Sequence, residues 1–159
     1  ITIAEIGVRE GLNAIELLES FNTTMVYLID PYAPYCDGKV FGAQPKGYQD
    51  IWYFNMFHYM EPYQDRITLV TKPSSYASTL FGDSTFDYVY IDGNHSVDFV
   101  REDIRLWWPK VKEGGILAGH DYDLIDEYPG VHTAVSEFLR DSNKKLVALN
   151  GIVDWAVER

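Results

Sequence analysis

The chain has 159 residues, 47% of them hydrophobic, with 13 basic against 24 acidic side chains and a formal net charge of −11. That length suits one domain with a full core rather than two, and such acidity, with Lys and Arg scattered singly apart from Lys144-Lys145, argues against a nucleic-acid partner. No run approaches the ~18 apolar residues of a membrane span, and the single cysteine, Cys36, leaves no intrachain disulfide and fits a reducing, cytoplasmic compartment.

Residues 2–6, TIAEI, form a short apolar run leading into GVREGLN, after which Ile15, Leu17 and Leu18 mark the buried side of a helix. Strand, glycine turn and helix make the opening unit of a nucleotide-binding α/β fold. Gly7 permits a tight turn off the strand, and Gly11 lets the backbone approach a ligand at the helix start. The spacing is Gly-x-x-x-Gly, not the Gly-x-Gly-x-x-Gly that seats a pyrophosphate. MVYLID, 25–30, predicts a second strand ending in Asp30, where an acid about 20 residues past the glycine turn commonly binds ribose hydroxyls. The other reading of Asp30 is a carboxylate that caps a local turn.

From Pro31 to Gly47 the sequence is rich in proline, glycine and rings and has no period, which predicts a lid over an acceptor, with Tyr32, Tyr35 and Phe41 facing it. Cys36, inside this stretch, reads as a lone thiol. Residues 48–61 predict a helix that is apolar almost all round, with Trp52, Phe54, Phe57 and Tyr59 offering a buried side and a lid or subunit contact, so that a homo-oligomer is compatible with the sequence. ITLV (67–70) predicts a third strand and SSYASTLF (74–81) a short helix.

FDYVYID predicts the fourth strand, and a helix follows with Ser96 as N-cap. Its buried stripe runs through Val97, Val100, Ile104, Trp107 or Trp108, and Val111, with Asp98, Glu102, Asp103 and Arg105 elsewhere. Glu113-Gly114-Gly115 turns the chain into a fifth strand, GILAGHD. Val131, Val135, Phe138 and Leu139 mark a last helix, and KLVAL and IVDWAVE predict two closing strands around Asn150-Gly151. The whole reads as one domain, residues 1–159, α/β and doubly wound: a mostly parallel, seven-stranded Rossmann-like sheet with a reversed last strand and helices on both faces. It opens inside a strand pattern without a preceding helix, as if an N-terminal segment were missing or supplied elsewhere.

Parallel fourth and fifth strands would bring Asp92, His95, His120 and Asp121 to one carboxyl edge, where open α/β sheets bind ligands. Three have a plainer reading: Asp92-Gly93-Asn94 as a strand-end turn, His95 as a helix cap, His120 as a core histidine.

Taken together, AEIGVREGLNA, LID, FDYVYIDGNH and VKEGGILAGHDY resemble, in that order, four motifs of the class I S-adenosylmethionine-dependent methyltransferases, over nearly the whole chain. DGNH and GHDY are most similar to the small metal-dependent O-methyltransferases of the catechol and macrolide-sugar kind. The resemblance implies S-adenosylmethionine as cofactor, with Glu5 and the backbone around Gly7 and Gly11 at its methionine portion and Asp30 at its ribose. Asn13 stands where catechol-like relatives carry a serine, and Asp92 lies where strand four meets the cofactor. It further implies a divalent metal, magnesium or manganese, held by Asp92 and Asp121, with His95 as general base. His120 stands where relatives place a carboxylate, and a nitrogen ligand there suits manganese, iron or zinc better than magnesium. Lys72-Pro73 also departs from the small polar or acidic adenine contact of relatives.

The implied reaction moves a methyl group from the sulfonium to a hydroxyl of a small-molecule acceptor. The protein aligns the two atoms, and a base or metal activates the hydroxyl. Two competing readings remain: a nicotinamide-dependent oxidoreductase, which would share the fold and Asp30 but not this glycine spacing, and a non-catalytic domain that kept the fold.

Overall fold

A computed structural model describes residues 1–33, 47–147 and 154–159. The strands are β1 (Thr2–Ile6), β2 (Met25–Ile29), β3 (Ile67–Val70), β4 (Phe86–Ile91), β5 (Val111–Gly119) and β6 (Trp155–Glu158), in the sheet order β3-β2-β1-β4-β5-β6. All neighbours are parallel except β5 and β6. The mostly parallel sheet with its reversed last strand is therefore as expected, but among the described residues it has six strands, not seven. Residues 145–147 of KLVAL are not a strand, although Val147 donates its N–H to Ala156 O at 2.8 Å; the rest of KLVAL and Asn150-Gly151 lie outside the described residues.

The helices are α1 (Leu12–Ser20), α2 (Tyr48–Met60), a single turn α3 (Ser74–Ala77), α4 (Val97–Trp107) and α5 (Pro129–Ser142). They cover both faces, which is why Ile3, Ala4, Glu5 and Ile6 of the central β1 are all buried. Ile3, Val26 and Leu28 pack with α1 and with Met56 and Met60 of α2. Ala4, Ile6, Val89, Ile91 and Leu117 pack with Val100, Ile104 and Trp107 of α4 and Val131, Ala134 and Val135 of α5. On α2 the buried side chains are the two methionines, while Phe54 and Phe57 stand in solvent. No helix among the described residues is long and apolar enough to cross a membrane.

Three local details differ from the sequence expectation. The 74–81 helix is one α turn followed by a 3-10 turn, Ser78–Leu80. β5 begins at Val111, and Gly114-Gly115 sits inside it as an irregularity, the pairing jumping from Phe86↔Val111 to Tyr88↔Ile116. Asp103 is not on the solvent side of α4: it is 6% exposed and accepts a short hydrogen bond from Ser74 Oγ at 2.5 Å, while Trp107 Nε1 donates to the same Ser74 oxygen at 2.7 Å.

Burial pushes the Asp103 carboxyl up to about 7, only partly offset by Ser74. Its proton is held more tightly folded than unfolded, so this group's contribution to stability is present at low pH and falls as pH rises from the unfolded value toward the folded one. The Asp103→Asn variant should therefore gain stability relative to wild type between pH 5 and pH 8, by on the order of a few kcal/mol at most. Urea unfolding midpoints of both proteins across that range check this; parallel pH profiles would show that Asp103 is not proton-coupled to folding.

Candidate functional site

The sheet order places β1 between β2 and β4, so the chain leaves β1 and β4 toward opposite flanks and a crevice opens at their carboxyl ends. At that point the two loops touch through backbone. Asp92 donates its N–H to Ile6 O at 2.7 Å, and a Cβ built on Gly7 would lie 2.1 Å from Asp92 O. Gly7 also holds φ +85°, a conformation that side chains rarely adopt.

The Gly7–Gly11 loop is clamped by Asp30, just past β2. Its Oδ2 accepts the N–H groups of Val8 and Arg9, both at 3.0 Å, and its Oδ1 accepts that of Tyr32 at 2.8 Å. Tyr32 in turn donates its hydroxyl to Arg9 O. A carboxylate offers about four acceptor positions, so the loop uses most of Asp30 and leaves about one for a ligand. Tyr32, read from sequence as facing an acceptor, thus locks the loop and packs edge-on against Tyr53. Tyr35, Cys36 and Phe41 lie outside the described residues. Gly11 caps α1 with φ +82°, and the nearest atoms to a Cβ there belong to Met60 and Met56 of α2. At the end of β3, Lys72 lies over the Tyr76 ring.

Glu5 sits beneath this loop, 1% exposed on β1. Asn13 of α1 donates to its Oε1 at 2.9 Å, whereas Oε2 has no protein partner among the described residues. Burial pushes the carboxyl up to about 8, opposed by Asn13 and reinforced by the nearby Asp92 and Asp30. Glu5 is therefore largely neutral at pH 7, and a positive group beside it would favour its ionised form.

The second half of the site lies past β4 and β5. His95 Nε2 stands 2.7 Å from Asp121 Oδ2 and 3.6 Å from Asp92 Oδ1, and the ligating atoms of Asp92, His95 and Asp121 all lie within 4.8 Å of one another. Asp121 is buried at 4% exposure and holds a left-handed φ of 66°. Strained backbone of this kind persists where its surroundings over-determine it. His120 does not join that trio: its Nδ1 bonds Asp121 Oδ1 at 2.7 Å and its Nε2 faces Asp154 at 3.6 Å. Asp121 thus carries one histidine on each oxygen. Desolvation opposes the charge on His95, but hydrogen bonds to Asp121 and Asp92 prevail and push its pKa to about 9. The Asp121 carboxyl is held below its ordinary value by the same histidines, against its burial.

Sequence reasoning missed Tyr128, whose ring stacks on His95 at 4.3 Å, as well as Asp154, which accepts from Tyr90 at 3.0 Å. Tyr128 reaches His95 because Gly130 lets the start of α5 press against the loop, a Cβ there falling 2.3 Å from His95 O. A Tyr-Pro-Gly run in an acidic loop carries no sign of such a contact. Ser96 occupies the N-cap position of α4, but its hydroxyl donates to Asn94 Oδ1 and accepts no N–H of the helix.

With this geometry in hand, residues 4–122 match a family model described as a methyltransferase domain. The chain belongs to that methyltransferase family. No curated protein sequence matches it. Among solved structures it is similar to the S-adenosylhomocysteine-bound methyltransferase PaMTH1 of Podospora anserina (15% identity, 99% of this chain and 70% of that one, TM-score 0.71). It is similar also to an O-methyltransferase from Bacillus cereus in complex with S-adenosylhomocysteine (16%, 99% and 74%, TM-score 0.68) and to the calicheamicin methyltransferase CalS11 (19%, 99% and 71%, TM-score 0.67). Likeness at these identities shows that the fold is shared.

The backbone contact under the crevice yields a direct test. Gly7→Ala places a methyl into Asp92 O and forces an unfavourable φ, so it should destabilise the fold by about 3 kcal/mol or more. Thermal unfolding of the variant checks this, and a melting temperature within a degree or two of wild type would contradict the close approach.

Proposed function

We propose that this methyltransferase transfers the methyl group of S-adenosylmethionine to a hydroxyl of a small-molecule acceptor, assisted by a divalent cation. The observation that carries the reading is Glu5: a buried carboxyl with one oxygen unpartnered among the described residues, beside a glycine loop, at the switch point of the sheet. An ammonium group fits there, since it would supply the missing donor and the opposing charge. Glu5, Asn13 and the backbone from Gly7 to Gly11 would therefore hold the amino-acid portion of the cofactor. Asp30 shapes that loop and keeps about one acceptor position for the ribose.

Bound there, S-adenosylmethionine would supply an electrophilic methyl group, and a cation would lower the pKa of the acceptor hydroxyl and stabilise its oxyanion. Two carboxylates and one imidazole form a donor set better suited to manganese than to magnesium. For the cation site we favour Asp92, His95 and Asp121, with His120 holding Asp121 from its other oxygen. His95 directs the same Nε2 atom at both carboxylates, so acting as cation ligand and acting as general base are mutually exclusive roles; the geometry favours ligand. Asp92 contributes to both halves, through its backbone to the Gly7 loop and through its side chain to the cation. Tyr128 shields one face of His95 from water. The named activities of the Bacillus cereus O-methyltransferase and CalS11 support a hydroxyl acceptor and a small molecule.

Calorimetry with S-adenosylhomocysteine tests the first half. Micromolar binding is expected, with release of about one proton per molecule bound at pH 7, because Glu5 goes from neutral to ionised. Affinity should accordingly rise with pH toward 8. Glu5→Gln should weaken binding about ten- to a hundredfold and abolish the proton release. Absence of binding, or competition by NAD, would overturn the cofactor reading in favour of a non-catalytic domain or an oxidoreductase.

Manganese titration tests the second half. Asp92→Ala and Asp121→Asn should each remove the metal heat, while His120→Gln should only weaken it. Equal loss in His120→Gln and none in His95→Gln would move the site to Asp92, His120 and Asp121.

A further inference from the structure

One side of α2 holds it to the rest of the chain. Met56 and Met60 are buried in the cluster formed with β1, β2 and α1. On the same side Trp52 lies under the Arg9 guanidinium at 5.0 Å, and Asn55 donates to Glu10 at 2.9 Å. On the opposite side Ile51, Phe54 and Phe57 recur every third residue, which at about 3.6 residues per turn keeps them in one stripe. They are 54%, 72% and 69% exposed. Apolar residues scattered singly on a surface need no explanation, but three large ones side by side mark a contact face.

Charge and symmetry say what covers it. Two copies of a chain with net charge −11 repel each other, so they can meet only where charge is sparse. Of the 13 residues of α2, Asp50 alone is formally charged at pH 7. A basic partner would be drawn to the acids elsewhere, not to this stripe. The stripe is also self-complementary. Phe54 stands midway between Ile51 and Phe57, and midway between Asp50 and His58, which are both exposed. A two-fold axis through Phe54, normal to the helix, sets Phe54 on its own copy and Ile51 on Phe57 of the second copy. The same axis sets Asp50 on His58 of the second copy, so a carboxylate meets a ring nitrogen able to donate at each end of an apolar centre. Each contact is made twice, as an isologous interface requires.

We infer that the outer face of α2 is the interface of a homodimer, in which the two copies of α2 pack antiparallel about a two-fold axis at Phe54. The area agrees. The three apolar side chains leave roughly 350 Å² uncovered on each copy. With a rim of Asp50, Tyr53, His58 and Glu61, two copies exceed the ~1,000 Å² in total that a specific contact needs. The dimer does not depend on the reaction proposed above.

Sedimentation velocity of the full chain over a concentration series tests the interface. A monomer–dimer equilibrium with a Kd on the order of 10 µM is expected. Phe54→Glu sets two carboxylates together at the axis and should weaken it about a hundredfold; the position is exposed, so circular dichroism should show the fold unchanged. His58→Asp faces Asp50 with another acid and should weaken dimerisation about tenfold. Adding Asp50→Lys to His58→Asp should restore it, because the swapped pair is again opposite in sign. A wild type still monomeric at about 100 µM would overturn the inference and leave the stripe to a partner of another sequence. So would a dimer that Phe54→Glu leaves intact, or a double variant no tighter than His58→Asp alone.

Discussion

Everything at the functional edge depends on one close approach of backbone, between the end of β1 at Gly7 and the end of β4 at Asp92. A side chain at position 7 would separate the strands, and the loop after β1 would no longer lie against the loop after β4. Because the contact is between main chains, it aligns the two halves of the site independently of any flexible side chain. Glu5 lies two residues before it on β1, and His95 three residues after it in the loop that follows β4. The crevice is thus a product of strand order and a missing Cβ.

On that frame the charges are arranged unevenly. Glu5 and Asp103 are carboxyls buried without a cationic partner among the described residues, and burial raises the pKa of both. Asp121 is buried with a histidine on each oxygen and stays ionised. The carboxyl group therefore serves three purposes: a buried neutral acid beside the glycine loop, a structural link between α4 and the start of α3, and an anion held between two histidines. Burial alone disfavours ionisation in all three; the partners decide the outcome.

The alternation of apolar runs and glycine turns made the α/β class, the reversed final strand and the carboxyl-edge grouping of Asp92, His95, His120 and Asp121 legible. Other features were hidden for identifiable reasons. Asp103 falls at the margin of the α4 stripe, and its burial depends on Ser74 coming from another part of the chain. The rings of α2 suggested a buried face, but the two methionines fill the gap above α1 and leave Phe54 and Phe57 outside. The sequence assigned His120 to a metal and His95 to the base role, and could not tell that the two rings would meet different oxygens of Asp121.

By itself, then, the sequence determined the order of elements and which chemical groups end each strand, because hydrophobic period and glycine placement are local properties of the chain. Only the tertiary structure decided which of those groups meet. Asp30 turns to the glycine loop, Glu5 leaves one oxygen without a protein partner among the described residues, and Asp154 comes to Tyr90 and His120 from the far end of the sequence. Those meetings are set by strand register, helix docking and the space that glycines leave, and they join residues too distant along the chain for any local pattern to record.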